Sequence, residues 1–414
     1  MDGISSYAAC KRNIGILARI LSTILIAGAW VLGTVSLANA RAWDIDPPLP
    51  GGDPQWEKVR DLYANHHGGK NLAELIAVLT PLKDKYPDKV ETYLWLARVH
   101  YLQGRYERKG CEEHFEKAEK YAAQACRMDP KNAKAIRLLT DALVYNRDRS
   151  YIFHHYGSLI RSFAPLPDEE ALPPMNNYAG WDAFMQQWAA RADIAKGQHA
   201  VALVEKIAQE HPNDALALTW VARAAYCVGE TYTSLDEHDA KGLPYYEKAM
   251  TYAGKARKLQ PGSVPANYWY QISRARSVQF TSLINKGRYL TDMLTPLLYS
   301  DRENGTYYYF GPFLTLGTMI TNGGWVTEKG MKIARITLEM DLNALEIAEI
   351  LCPDYFYIPY TRADILAYKG RKKEALAILE KLLARDPDAN KQIPENRAFL
   401  RMAKNLHNDI KNGK

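Results

Sequence analysis

The sequence repeats itself, and that limits the fold more than any other feature. His114–Pro130 (HFEKAEKYAAQACRMDP) aligns without a gap with Tyr245–Pro261 (YYEKAMTYAGKARKLQP). Glu116, Lys117, Ala118, Tyr121, Ala122, Ala125 and Pro130 recur as Glu247, Lys248, Ala249, Tyr252, Ala253, Ala256 and Pro261. Upstream, Trp95–Arg98, Tyr101 and Gly104 recur as Trp220–Arg223, Tyr226 and Gly229. A third copy keeps the spacing: Pro87, Ala97 and Gly104 match Pro212, Ala222 and Gly229, and also Pro353, Ala363 and Gly370. Ala375, Leu379, Leu382 and Pro387 then follow with the steps of Ala118, Ala122, Ala125 and Pro130.

This spacing resembles a tetratricopeptide repeat, a helix-turn-helix unit that stacks on its neighbours. Small residues are needed where the paired helices touch, so Ala97, Ala118, Ala125, Ala222, Ala249, Ala256, Ala363 and Ala375 are the expected packing positions. Gly104, Gly229 and Gly370 suit helix C-termini, where a positive φ costs glycine little. The closing prolines stop each hairpin. The predicted fold is therefore all-α, an α-α superhelix (TPR-like solenoid) of stacked helical hairpins around one core, with a concave groove.

The remaining chain is also helical in pattern. Leu72, Leu75, Ile76, Leu79 and Leu82 share one helical face. Helical spacing continues over 136–144, 182–194, 200–208, 269–284 and 335–351, while 298–305 and 321–325 read as loops. Pro173-Pro174 marks a linker. The expected organisation is a leader at 1–42, a linker at 43–53, a helical unit at 54–170, a linker at 171–177, a second unit at 178–300, and a C-terminal unit at 301–414.

Lys11, Arg12 and Arg19 precede an uncharged run, Ile20–Ala40, which ends in Ala38 and Ala40. That is the layout of a secretory signal. The run is also long enough for an uncleaved anchor through residues 20–40, since about 20 apolar residues span a bilayer. Either way the expected location is outside the cytoplasm, in the periplasm. Net charge is +6, from 53 Lys and Arg against 47 Asp and Glu. No basic stripe marks a nucleic-acid face. Cys111, Cys126, Cys227 and Cys352 fit no zinc pattern, and buried single thiols are expected.

No G-x-S-x-G, P-loop, HExxH or CxxC motif occurs, so no catalytic residue, cofactor or metal is assigned. His66-His67 and His154-His155 read as surface or capping groups, because adjacent helical side chains point about 100° apart. Asn304-Gly305-Thr306 fits a glycosylation sequon. The aromatics are more informative. Tyr307, Tyr308, Tyr309 and Phe310 are consecutive, as are Tyr355, Phe356 and Tyr357, with Tyr360 close behind. Trp269 sits in a third cluster, and Trp181 and Trp188 lie seven apart on one helical face. These residues are either core or the lining of a ligand or partner site. Adjacent aromatics on a regular helix cannot all face one core, which favours a second surface for some of them.

Residues 307–406 resemble the T-component (TatT) family associated with TRAP transporters. The features are Tyr309-Phe310-Gly311-Pro312, Gly323-Gly324, Pro353-Asp354-Tyr355-Phe356, Lys369-Gly370, Ala375, Leu379, Leu383-Ala384, Asp386-Pro387, Pro394-Glu395-Asn396, Ala403 and Leu406. The absent motifs argue against an enzyme, and the resemblance implies an exported tetratricopeptide-like protein. It implies a periplasmic solute-binding protein as partner, a homotrimer, and an internal path for an apolar or organic-acid ligand. The alternative is a periplasmic scaffold for protein–protein assembly.

Overall fold

A computed structural model describes residues 46–413 apart from 108, 167–171, 236–239, 279, 281–282, 334 and 392. The expected leader, residues 1–42, lies outside the described residues, as does the first residue of the 171–177 linker. Among the described residues there are helices and no strands. No described helix is long and apolar enough to cross a membrane.

The first unit contains α1 (Pro54–Ala64), a short 3-10 turn (His67–Gly69), α2 (Leu72–Lys85), α3 (Val90–Tyr106), α4 (Cys111–Met128) and α5 (Ala133–Asn146). Two short helices follow, α6 (Arg149–His155) and α7 (Gly157–Ser162). The second unit runs α8 (Trp181–Ala189), α9 (Ile194–Glu210), α10 (Ala215–Leu235), α11 (Leu243–Leu259) and α12 (Val264–Val278). The last part is α13 (Leu283–Asn304), α14 (Tyr307–Ile333), α15 (Leu338–Leu351), α16 (Tyr357–Tyr368), α17 (Lys372–Leu383) and α18 (Asn396–Lys411).

Polar residues set many of these starts. Asp53 caps α1, with Pro54 in its first turn, and its carboxylate accepts from the Gln55 amide at 2.9 Å. Asn132 caps α5, Asp193 caps α9 and Thr337 caps α15. Short connections then turn each helix back on the one before, giving packed hairpins α3–α4, α10–α11 and α16–α17. These are the three recurring pairs of the sequence. Ala97, Ala118, Ala125, Ala222, Ala249, Ala256, Ala363 and Ala375 are all buried within them.

The glycines divide differently from the sequence expectation. Gly370 follows α16 with φ +78°, as a C-terminal glycine should. Gly104 and Gly229 instead lie inside α3 and α10, and neither has a positive φ. Their role is close approach. A Cβ on Gly104 would lie 3.0 Å from the Phe115 ring, and one on Gly229 would lie 2.6 Å from Tyr246. Phe115 and Tyr246 stand at matching places in the two copies.

Further expectations are corrected. Residues 298–304 are helical, as the end of α13, and 321–325 lie inside α14. Packing holds 298–304, which are buried or half-buried, whereas 321–325 are largely exposed and Gly324 interrupts α14 with φ +64°. The helix expected over 269–284 breaks between α12 and α13, and the one expected over 335–351 begins at Leu338.

The groove expected of a plain solenoid is taken up by the chain itself. α13 lies against α3, α15 against α5 and α18 against α10. C-terminal helices therefore cover the faces of α3 and α10 that carry Arg98 and Arg223.

Candidate functional site

Two buried ion-pair centres form where those faces are covered. The first is built on Arg98 of α3, which is buried. Its Nε donates to Tyr63 Oη at 3.0 Å and to Asp46 Oδ1 at 3.1 Å. Its Nη1 donates to the Glu303 carbonyl at 2.6 Å, and Nη2 lies 3.6 Å from Glu303 Oε2. Glu303, at the end of α13, also receives the Tyr106 hydroxyl on Oε1 at 2.8 Å, and His66 Nε2 lies 3.1 Å from Oε2. Burial alone would raise the Glu303 carboxyl; His66, Arg98 and Arg302 together overcome it and hold the group well below the usual range. His66 is thus a buried partner of Glu303, not a surface group.

Asp301, one turn before Glu303, extends this centre. It accepts from Arg105 Nη2 and from Tyr145 Oη, each at 2.7 Å. Asp141 on α5 is close by and fully buried, with neither carboxylate oxygen hydrogen-bonded. Burial, reinforced by the Asp301 charge, pushes its carboxyl up to about 8.

The second centre is built on Arg223 of α10. Nη1 donates to Glu395 Oε1 at 3.2 Å. The guanidinium lies 4.9 Å from the Trp188 ring, 4.9 Å from Trp269 and 4.8 Å from Tyr308. Three aromatic faces around one cation form a cage. Arg191 stacks on Trp188 at 4.1 Å and adds a second positive charge. Burial raises the Glu395 carboxyl, but Arg223 and then Arg191 outweigh it and hold it low. Next to Glu395, the Asn396 side chain accepts from the Phe356 amide at 3.0 Å and donates to the Asp354 carbonyl at 2.8 Å.

The aromatic candidates largely converge here. Trp181, Trp188, Trp269, Tyr307, Tyr308, Phe310, Tyr355 and Phe356 are buried, while Tyr309, Tyr357 and Tyr360 are partly buried. Trp181 and Trp188 pack on Trp220. Tyr309 stacks on Tyr355 at 4.4 Å, and Trp269 Nε1 donates to Tyr307 Oη at 3.2 Å. The expectation that consecutive aromatics must fan out assumed a regular helix. Tyr308, Tyr309 and Phe310 instead have φ of 43°, 52° and 63°, a left-handed turn that buries three of the four rings. Such a conformation costs about 1–2 kcal/mol per residue. Gly311 lets Tyr268 pack against this turn, because a Cβ there would lie 2.4 Å from the Tyr268 hydroxyl.

His154 and His155 are exposed. Asn304 of the sequon is fully buried and accepts from the Thr306 hydroxyl at 3.1 Å, so the folded chain hides it from modification. Cys111, Cys126, Cys227 and Cys352 are free thiols.

Arg98, Arg223, Glu303 and Glu395 were not singled out from the sequence as site residues, although a signal was present. The offset that relates Trp95–Arg98 to Trp220–Arg223 continues upstream. It relates Trp56 to Trp181, Tyr63 to Trp188 and His66 to Arg191. Trp95 Nε1 donates to the Pro48 carbonyl and Trp220 Nε1 to the Pro173 carbonyl, each 47 residues back. The first two units are therefore copies from the proline segment onward.

No family model matches the chain, and no curated protein matches it. Among solved structures, the chain is similar to yeast Tom70, at 11% identity over 100% of this chain and 75% of that one, with a TM-score of 0.34. It is also similar to a human IFIT1 dimer with PPP-AAAA, at 14% identity over 80% of this chain and 74% of that one, with a TM-score of 0.31. At these scores the likeness carries nothing about a ligand. The repeat reading rests on the helix pairs themselves.

Proposed function

We propose that this chain is an exported helical-repeat binding protein that works in the periplasm as the accessory T component beside the solute-binding protein of a TRAP-type transporter. The observation that carries the reading is spatial. Residues of the C-terminal signature, distant in sequence, meet at one place. Tyr309 stacks on Tyr355, Asn396 ties down Asp354 and Phe356, and Glu395 holds Arg223. Asp354, Phe356, Arg385 and Asn396 also line a cleft of about 220 Å³, which offers a docking point for a protein partner.

The interior favours a polar guest over a wholly apolar one. Gln271, Ser273, Asp341 and Thr361 are buried and carry side-chain polar atoms with no hydrogen-bond partner. Such atoms are costly unless satisfied. An organic acid offers the acceptors and donors to do so. No residue here is assigned a catalytic role.

Native mass spectrometry of gently purified protein, with and without a candidate solute-binding protein, tests this. A co-purifying organic acid, a trimeric mass and a complex with the solute-binding protein are expected. A ligand-free chain with no affinity for any solute-binding protein would leave the assembly-scaffold function in its place.

A further inference from the structure

We propose that His66, His67 and Glu303 form a binding site for one divalent transition-metal ion of the Zn²⁺ type. One ligand atom from each residue lies within 4.8 Å of the others. His66 and Glu303 are buried and His67 is partly buried. The 3-10 turn after α1 supplies the histidines and the end of α13 supplies the carboxylate, so the fold joins residues far apart in sequence.

Hydrogen bonding fixes which nitrogens face the site. His66 Nδ1 is 2.5 Å from the Tyr63 carbonyl, which can only accept, so Nδ1 carries the hydrogen. Nε2 faces Glu303 Oε2, 3.1 Å away. A proton or a metal ion can bridge that pair, and in the metal-bound form the Nε2 lone pair takes the ion. For His67, Nδ1 lies 3.3 Å from the Tyr299 hydroxyl. That hydroxyl already donates to the Gly262 carbonyl at 2.9 Å, so it accepts from His67 Nδ1–H. His67 Nε2 is left bare, buried and without a partner. Outer acceptors that hold Nδ1–H and aim Nε2 inward are the usual supports of ligating histidines. On Glu303, Tyr106 occupies Oε1 and leaves Oε2 for the ion.

Two imidazoles and a carboxylate suit zinc and its neighbours. Bonds near 2.0–2.1 Å set donors about 3.4 Å apart, so the site closes slightly on binding. His67 is the ligand with room to move. It is followed by Gly68 and Gly69, at φ +76° and +82°, and its partial exposure admits water as a fourth ligand.

Two fixed cations face the same carboxylate. Arg98 Nη2 and Arg302 Nε each lie 3.6 Å from it, beyond hydrogen-bonding distance. In the second copy Arg191 occupies the place of His66 and Ala192 that of His67, so that copy offers no imidazole at the matching place.

The test uses the whole chain, freed of any affinity tag and stripped with chelator, then titrated with Co²⁺ and Zn²⁺. One Co²⁺ per chain with visible d–d bands is expected, displaced by one equivalent of Zn²⁺. His66→Arg, the residue the second copy uses, abolishes the bands while the helical circular dichroism is kept. His67→Ala, in the turn, and Tyr299→Phe, which removes the outer acceptor, each weaken binding by about 10–100-fold. Absence of Co²⁺ bands in the native chain, or bands retained in His66→Arg, would overturn the proposal and leave His66 as an imidazolium paired with Glu303.

Discussion

The two copies solve one packing problem with different chemistry. In each, an arginine on the first repeat helix is buried against a glutamate from a later part of the chain. Arg98 meets Glu303 within a polar network of Asp46, Tyr63, His66 and Tyr106. Arg223 meets Glu395 within a cage of Trp188, Trp269 and Tyr308. The first centre spreads its charge over hydrogen bonds, and the second over aromatic faces. A shared geometry is thus filled once with a polar network and once with aromatic faces. Function is expected to differ in the same way. On the metal-site proposal the first centre responds to ions, whereas the second ties Glu395 to Arg223 beside Asn396.

The largest effect that could break this comparison is loss of an arginine. Arg223→Met leaves Glu395 buried with only Arg191 and the Cys227 thiol beside it, and should cost about 3–5 kcal/mol in urea unfolding. Arg98→Met should cost less, because His66 and Tyr106 remain on Glu303. The reverse order would show that the polar network is the more fragile of the two.

The next effect concerns the glycines. Gly229→Ala brings a methyl 2.6 Å from the Tyr246 ring, against 3.0 Å from Phe115 for Gly104→Ala. Overpacking of this kind costs about 1–3 kcal/mol. Thermal unfolding should place Gly229→Ala at the upper end and Gly104→Ala at the lower.

A pH effect sharpens the contrast further. Asp141 belongs to the first copy, and Ile272 stands at the matching place in the second. With its folded carboxyl raised to about 8, Asp141 is uncharged in the folded state where the unfolded chain is already ionised. The folded state then binds the extra proton. Stability is full below about pH 4 and falls as pH rises toward 8. Asp141→Asn removes that dependence and should be the more stable protein at pH 8. Equal pH profiles for the two proteins would contradict the assignment. The smallest effect is at the exposed Arg371–Glu374 pair, where Arg371→Ala should leave the unfolding midpoint unchanged within error. A clear shift there would mean that burial is not what separates strong pairs from weak ones.

What was legible in the sequence is what local packing dictates. Alanines at fixed steps and prolines between helices gave the repeat hairpins, because close helix contact demands small side chains at those places. The same residues could not show that α13 and α18 return to cover α3 and α10. The partners in that return, Glu303 and Glu395, are single acidic residues with no periodic context. The run Tyr307–Phe310 misled for a different reason. Helical fanning was the right inference for right-handed backbone, and a left-handed turn changes where the rings point. Gly104 and Gly229 were expected at helix ends, whereas the ring opposite each one explains it inside its helix.

The most direct test of the account is a pair of double-mutant cycles, Arg98/Glu303 and Arg223/Glu395, measured by urea unfolding. Residues in one buried network show coupling of about 0.5–3 kcal/mol. The account predicts coupling above about 1 kcal/mol in both cycles, as expected for two equivalent centres closing the superhelix. Additive effects in either cycle would contradict it, because the two side chains would then not share one buried network in the folded chain.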